Sequence, residues 1–151
     1  METIDPAKAA RVWQRVQATN PPESREQGLL ELIVQEWTDA TTYLQLSRQL
    51  QGSKSAMLRR MYEQEQAHAA CLKGIYTLMT GKRPHVRALP PAQETPEQTL
   101  RRCYGREMQC LAGYEKRAAD PEYGHVFSRL AEQEREHLRM VLELLGSLDK
   151  K

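Results

Sequence analysis

One Phe, two Trp and few Ile or Val leave too little aromatic and β-branched material for a large sheet. No apolar run approaches the roughly 20 residues of a membrane span. The first residues, METIDPAKAA, hold no apolar stretch of the kind that directs secretion. The expectation is a soluble, cytoplasmic protein with no membrane partner. Cysteine is sparse: Cys71, Cys103 and Cys110 are odd in number and form no C-x-x-C pair. That excludes a four-cysteine metal module and fits reduced thiols better than a disulfide scaffold. Charge of one sign is missing too. With 22 basic and 20 acidic residues the formal charge is +2, which argues against a dedicated nucleic-acid binder. What remains is rich in Leu, Ala, Glu, Gln and Arg, the composition of a helical protein. At 151 residues it makes one domain with a sizeable core.

Helix signals recur along the chain. Asp5-Pro6 opens a short segment with Ala9, Val12, Trp13 and Val16 on one face, which Pro21-Pro22 ends. Ser24 with Gln27 is a capping-box pattern, and a long helix follows to about Gln51. Gly52-Ser53 breaks it. A second long helix runs from about Lys54 to Thr80 and stops at Gly81. Residues 81–95 hold three prolines and read as a connection. Thr95-Pro96, with Gln98, opens a third helix to near Ala119. Asp120-Pro121 repeats the signal for a fourth, ending near Leu148. The expectation is an all-α four-helix bundle of two antiparallel hairpins, over 23–151, with an N-terminal helix and linker over 1–22. Fully extended, residues 81–95 reach roughly 50 Å, enough for a long crossover between the hairpins.

Each long helix has an apolar stripe at spacings of three and four, and each stripe carries a Glu near its middle. The four are Glu36, Glu65, Glu107 and Glu134, and His68 and His137 follow the second and fourth Glu by one turn. No stripe carries a Lys or Arg. Four unpaired carboxylates in one core repel each other and cost several kcal/mol each. A pair of metal ions removes that cost, and oxygen and imidazole donors suit iron or manganese. Glu at i and His at i+3 share a helix face, so both reach one site. One Glu from each of two helices and Glu-x-x-His from each of the others is the ligand set of di-metal carboxylate bundles.

The hairpin geometry agrees. Glu36 and the Glu65/His68 pair are centred near residue 51, at the Gly52 break. Glu107 and the Glu134/His137 pair are centred near Pro121. All six residues therefore come out level. The halves also repeat: Glu63-Gln64-Glu65-Gln66-Ala67-His68 matches Glu132-Gln133-Glu134-Arg135-Glu136-His137. Tyr43 and Tyr114 each follow their helix's Glu by two turns.

E-x6-Y followed by E-x-x-H, given twice on four helices, resembles the ferritin-like superfamily, closest to its rubrerythrin and bacterioferritin branches. The resemblance covers about residues 26–148. It implies two iron ions per chain, with manganese or mixed occupancy as variants. Glu65 and Glu134 would bridge the metals, Glu36 and Glu107 would bind terminally, and His68 and His137 would take one metal each. Tyr43 and Tyr114 would hydrogen-bond and orient ligand carboxylates. The implied activity is an oxidoreductase of oxidative stress, reducing hydrogen peroxide or oxygen or oxidising ferrous iron. With no rubredoxin-type module in the sequence, electrons would come from a separate donor protein. The resemblance also admits a symmetric homodimer.

Two other readings stand beside this one. The same residues could serve a di-iron or di-manganese enzyme acting on another substrate. A bundle that kept its residues without metal would be a helical interaction or scaffold protein. Any one of the four Glu, taken singly, could also lie solvated at the edge of its stripe. Cys71, Cys103 and Cys110 read first as small core filler, with Cys110 a secondary candidate for a thiol beside the metals. Glu63 and Glu132 read as solvated, Glu97 as a helix-dipole residue, His85 and His125 as surface residues, the methionines at helical spacing as core, and the scattered Arg and Lys residues as solvated faces.

Overall fold

The computed structural model describes residues 22–148. The expected N-terminal helix around Trp13 lies outside them. Four helices fill this span: α1 (Pro22–Gln49), α2 (Ser53–Thr80), α3 (Pro96–Arg117) and α4 (Gly124–Leu148). No strand occurs among the described residues. The fold is an all-α ferritin-like four-helix bundle. No helix is long and apolar enough to cross a membrane, again among the described residues.

The local signals act as their chemistry requires. α1 opens on Pro22, which needs no N–H partner at a first helical position. Gly52 turns the chain into α2 at φ 66°, a left-handed conformation that side chains resist. α2 stops where the Gly81 N–H bonds the Thr77 carbonyl at 2.8 Å. α3 has a complete capping box. The Gln98 N–H donates to Thr95 Oγ1 at 3.2 Å, and the Thr95 N–H donates to Gln98 Oε1 at 3.1 Å.

The second hairpin turn differs from expectation. α4 begins at Gly124 rather than at Asp120-Pro121. Asp120 Oδ1 instead accepts the N–H groups of Glu122 and Tyr123, at 2.9 and 2.8 Å, and so closes a turn of its own. Gly124 then passes so near the preceding strand of backbone that a Cβ there would meet the Ala118 carbonyl oxygen at 2.3 Å.

α1 pairs with α2 and α3 with α4. Between hairpins, α1 lies against α3: Gln35 meets Cys110, Asp39 meets Arg106 and Tyr43 meets Glu107. Numbers rise from Gln35 to Asp39 on α1 as they fall from Cys110 to Arg106 on α3, so α1 and α3 are antiparallel. Residues 81–95 run beside α1. Val86 packs on the apolar cluster around Ile33, the Leu89 N–H donates to Thr38 Oγ1, and Pro91 and Ala92 lie near Leu46.

The apolar core has two parts. Leu29, Ile33, Leu72, Tyr114, Phe127 and Leu130 belong to one, and Tyr43, Leu46, Leu58, Met61, Leu100, Val141 and Leu144 to the other. The six Glu and His residues sit between them in sequence on every helix, which places a polar layer inside a dry bundle. One expectation of core membership fails: Met79, on the apolar stripe of α2, is 39% exposed.

Candidate metal centre

The structure brings all six residues together. Glu36, Glu65, Glu107, Glu134 and His137 are fully buried and His68 is 3% exposed. One ligand atom from each of Glu65, His68, Glu134 and His137 lies within 4.8 Å of the others. The two imidazoles face each other, their centroids 5.5 Å apart and their planes 28° from parallel. The solvated reading of the four carboxylates does not hold here.

The histidines are held in a crossed arrangement. His68 of the first hairpin has its Nε2 2.5 Å from Gln133 Oε1 of the second. His137 of the second has its Nε2 2.6 Å from Gln64 Oε1 of the first. An amide oxygen only accepts, so each Nε2 carries the proton. In the neutral ring, Nδ1 is then a lone pair pointing inward. His68 Nδ1 lies 3.0 Å from both Glu36 Oε2 and Glu134 Oε1. His137 Nδ1 contacts Glu65 Oε1, with Glu107 Oε1 at 3.7 Å and Glu134 Oε2 at 3.9 Å, and makes no hydrogen bond. With no metal bound, His68 meets Glu36 and Glu134 by carrying a second proton on Nδ1, while His137 Nδ1 is left without a hydrogen-bond partner.

Buried oxygens without partners surround this space: Glu36 Oε1, both oxygens of Glu65, Glu107 Oε2 and Glu134 Oε2. Buried acceptors left unpaired each cost on the order of 1–3 kcal/mol, more when charged. Burial, then the charges of Glu36 and Glu107, push the Glu65 carboxyl well above its ordinary pKa. Burial would raise Glu36 as well, but the neighbouring Glu65 carboxyl and the His68 ring outweigh it and hold Glu36 low. Burial would depress His68, yet hydrogen bonding and charge from Glu36 raise it. The carboxylates and rings share too few protons to satisfy one another. Metal cations fit: oxygens and two imidazole lone pairs converge on one dry space, the donor set of iron or manganese.

One tyrosine crosses between hairpins too. The Tyr43 hydroxyl on α1 donates to Glu107 Oε1 on α3 at 2.7 Å. The Tyr114 hydroxyl on α3 is buried with no hydrogen-bond partner. Burial raises both phenols, with Glu107 the next cause for Tyr43 and Glu36 for Tyr114, so both stay protonated donors. The Cys110 thiol is buried and donates to Gln35 Oε1 at 3.1 Å. Burial, then Glu36, raises its pKa far above the ordinary thiol range, which keeps it a protonated filler rather than a nucleophile. Cys103, pushed up to about 12 by burial and then Asp39, is the same.

Three features escaped the sequence reading. Gln64 and Gln133 stood inside the E-Q-E-x-x-H repeat without a role, and the repetition of the Gln was their signal. Asp39, one turn past Glu36, is a fifth fully buried carboxylate. Arg106, read among the solvated basic residues, reaches it with Nε 2.6 Å from Asp39 Oδ1, its side chain 13% exposed. Glu63 and Glu132 are exposed, as expected.

No curated protein matches the chain. The Rubrerythrin family model matches residues 29–145, a span that takes in all six buried Glu and His residues. The fold, the doubled motif and this match agree, and the chain belongs to the Rubrerythrin family.

Proposed function

We propose that the protein is a di-iron oxidoreductase that reduces hydrogen peroxide or oxygen or oxidises ferrous iron. Glu36, Glu65, His68, Glu107, Glu134 and His137 hold two irons per chain, and a separate protein supplies electrons. The observation that carries this reading is the inward Nδ1 of two histidines whose Nε2 atoms are both engaged by Gln amide oxygens. Once the rings are neutral, their Nδ1 lone pairs and the unpartnered carboxylate oxygens converge on one dry space that a cation would satisfy.

When bound, two ferrous ions supply the two electrons that, with two protons, convert hydrogen peroxide to two waters. The residues supply the rest. Glu65 and Glu134 come from different hairpins, so a metal pair held by both would tie the halves together. Gln64 and Gln133 fix the tautomer and the plane of each ring. Tyr43 holds one oxygen of Glu107 and leaves the other for a metal. The apolar residues on either side keep bulk water away. A small oxidant suits a site this closed. The two larger surface clefts, of about 760 and 670 Å³, are lined by none of the six residues.

The test is metal content per chain after anaerobic loading with ferrous iron and desalting. Two irons are expected for the native chain, and none for Glu65→Ala or Glu134→Ala, because each bridges. Either variant keeping two tightly bound irons would overturn the bridging roles. A folded native chain holding none would leave a helical scaffold. Adding hydrogen peroxide or oxygen to the loaded protein, and following the rise of ferric absorbance, then separates the oxidants.

A further inference from the structure

Asp39 is not among the six residues of the proposed centre, and it borders them. It sits on α1 one turn beyond Glu36 and is fully buried. One oxygen from each of Asp39, Glu65 and Glu107 lies within 4.8 Å of the others. Arg106 Nε takes Asp39 Oδ1 at 2.6 Å. Asp39 Oδ2 has no partner at all, though it is buried.

An ion pair that merely pinned α1 to α3 would account for Oδ1 only. A guanidinium is a fork that readily engages both oxygens of a carboxylate. Here Nη2 goes elsewhere, 3.4 Å from Thr42 Oγ1 and 3.7 Å from Cys103 Sγ. One oxygen is thus clamped and the other is left without a partner, in a side chain that borders Glu65 and Glu107.

The internal repeat sharpens the point. Glu36 corresponds to Glu107, and Asp39 to Cys110. At the position of the second carboxylate the repeat has a thiol, which donates to Gln35. The extra carboxylate therefore exists on one side only, and it reaches across to the Glu107 half.

We propose that Asp39 is a seventh protein ligand of the centre, binding through Oδ2 to the metal on the Glu107 side and making the two metal positions chemically unequal. This rests on the two-metal reading above. The Glu107 side becomes the harder, more oxygen-rich position, suited to manganese or iron. Arg106 holds the carboxylate in place from outside without competing for the free oxygen.

The test is titration of the metal-free full chain with manganous ion, followed by the loss of the free-ion electron paramagnetic resonance signal. The native chain should take two ions with unequal affinities. In Asp39→Asn one of the two should weaken about tenfold or more while the other is unchanged. Asp39→Glu, which keeps a carboxylate, should hold both. Arg106→Gln, which removes the clamp and leaves the ligand, should also keep both. Asp39→Asn binding two ions at native affinities would overturn the seventh ligand and leave the six-residue centre standing. Arg106→Gln weakening the same position as much as Asp39→Asn would also overturn it, since the pair would then be structural. If Asp39→Asn fails to fold by circular dichroism, the native titration decides, because two ions bound with equal affinity would overturn the unequal pair. A native chain that takes up no ion refutes the two-metal reading and this inference together.

Discussion

Stripped of metal and taken from about pH 5 to about pH 8, this protein should unfold at progressively lower temperature. Two buried carboxyls, Glu65 and Asp39, have folded pKa values raised well above their ordinary 4.5 and 3.8, by burial first and then by neighbouring carboxylates. Between the ordinary and the raised value, the unfolded chain has lost a proton that the native chain still holds. Stability must fall as pH rises through that window. His68 has the same sign. Its pKa is raised above 6.5, so its contribution is full below 6.5 and is lost as pH climbs through the folded value. Glu36, held below 4.5, gives a contribution lost only at lower pH, outside the range tested. One retained proton is worth about 1.4 kcal/mol per pH unit, and two about 2.7. At about 2–4 °C per kcal/mol for a chain of this size, Tm should drop by about 3–10 °C per pH unit. Metal reverses the slope, because ligands bind it deprotonated and affinity rises with pH. At a hundredfold excess over Kd, two sites add about 5 kcal/mol, or about 10–20 °C near neutral pH. Scanning calorimetry with chelator and with manganous ion, across the pH range, reads both slopes. A chelated protein whose Tm stayed flat or rose from pH 5 to 8 would refute the electrostatic reasoning. Equal Tm values with chelator and with saturating metal at neutral pH would refute the metal centre.

The crossed glutamines give a second prediction. Gln64→Ala or Gln133→Ala should weaken metal binding about 10–100-fold, because the freed ring can rotate or change tautomer, and binding isotherms of each variant measure it. Native affinity in both would show that packing alone holds the rings. The close approach at Gly124 gives a third. Gly124→Ala should lower stability by about 1–3 kcal/mol, since its Cβ would meet the Ala118 carbonyl at 2.3 Å. Gly105→Ala, an exposed helical position with nothing within 4 Å, should instead raise it by about 0.5–1 kcal/mol. Thermal melts of the pair should therefore shift in opposite directions.

Much of this molecule could be read along one dimension. Period and caps placed the helices, because helix formation and termination depend on residues a turn apart: Thr95 with Gln98, Gly52 and Gly81 at breaks. The E-x-x-H pairs lay on one face for the same local reason. Equal distances from two turns then put Glu36 level with Glu65, and Glu107 level with Glu134. Asp120 was misjudged as a helix cap because its side chain can close a local turn just as well, and only the backbone path to Gly124 distinguishes the two. What the tertiary structure alone decided lies between the hairpins. Tyr43 serves Glu107 rather than its own helix's Glu36. Gln64 holds His137, and Gln133 holds His68. Arg106 reaches Asp39. Each of these joins residues on separate hairpins, more than sixty positions apart in sequence. Helical periodicity says which face a residue occupies. It does not say which atom of another helix that face will meet, and the polar partners that complete this centre are set by that packing.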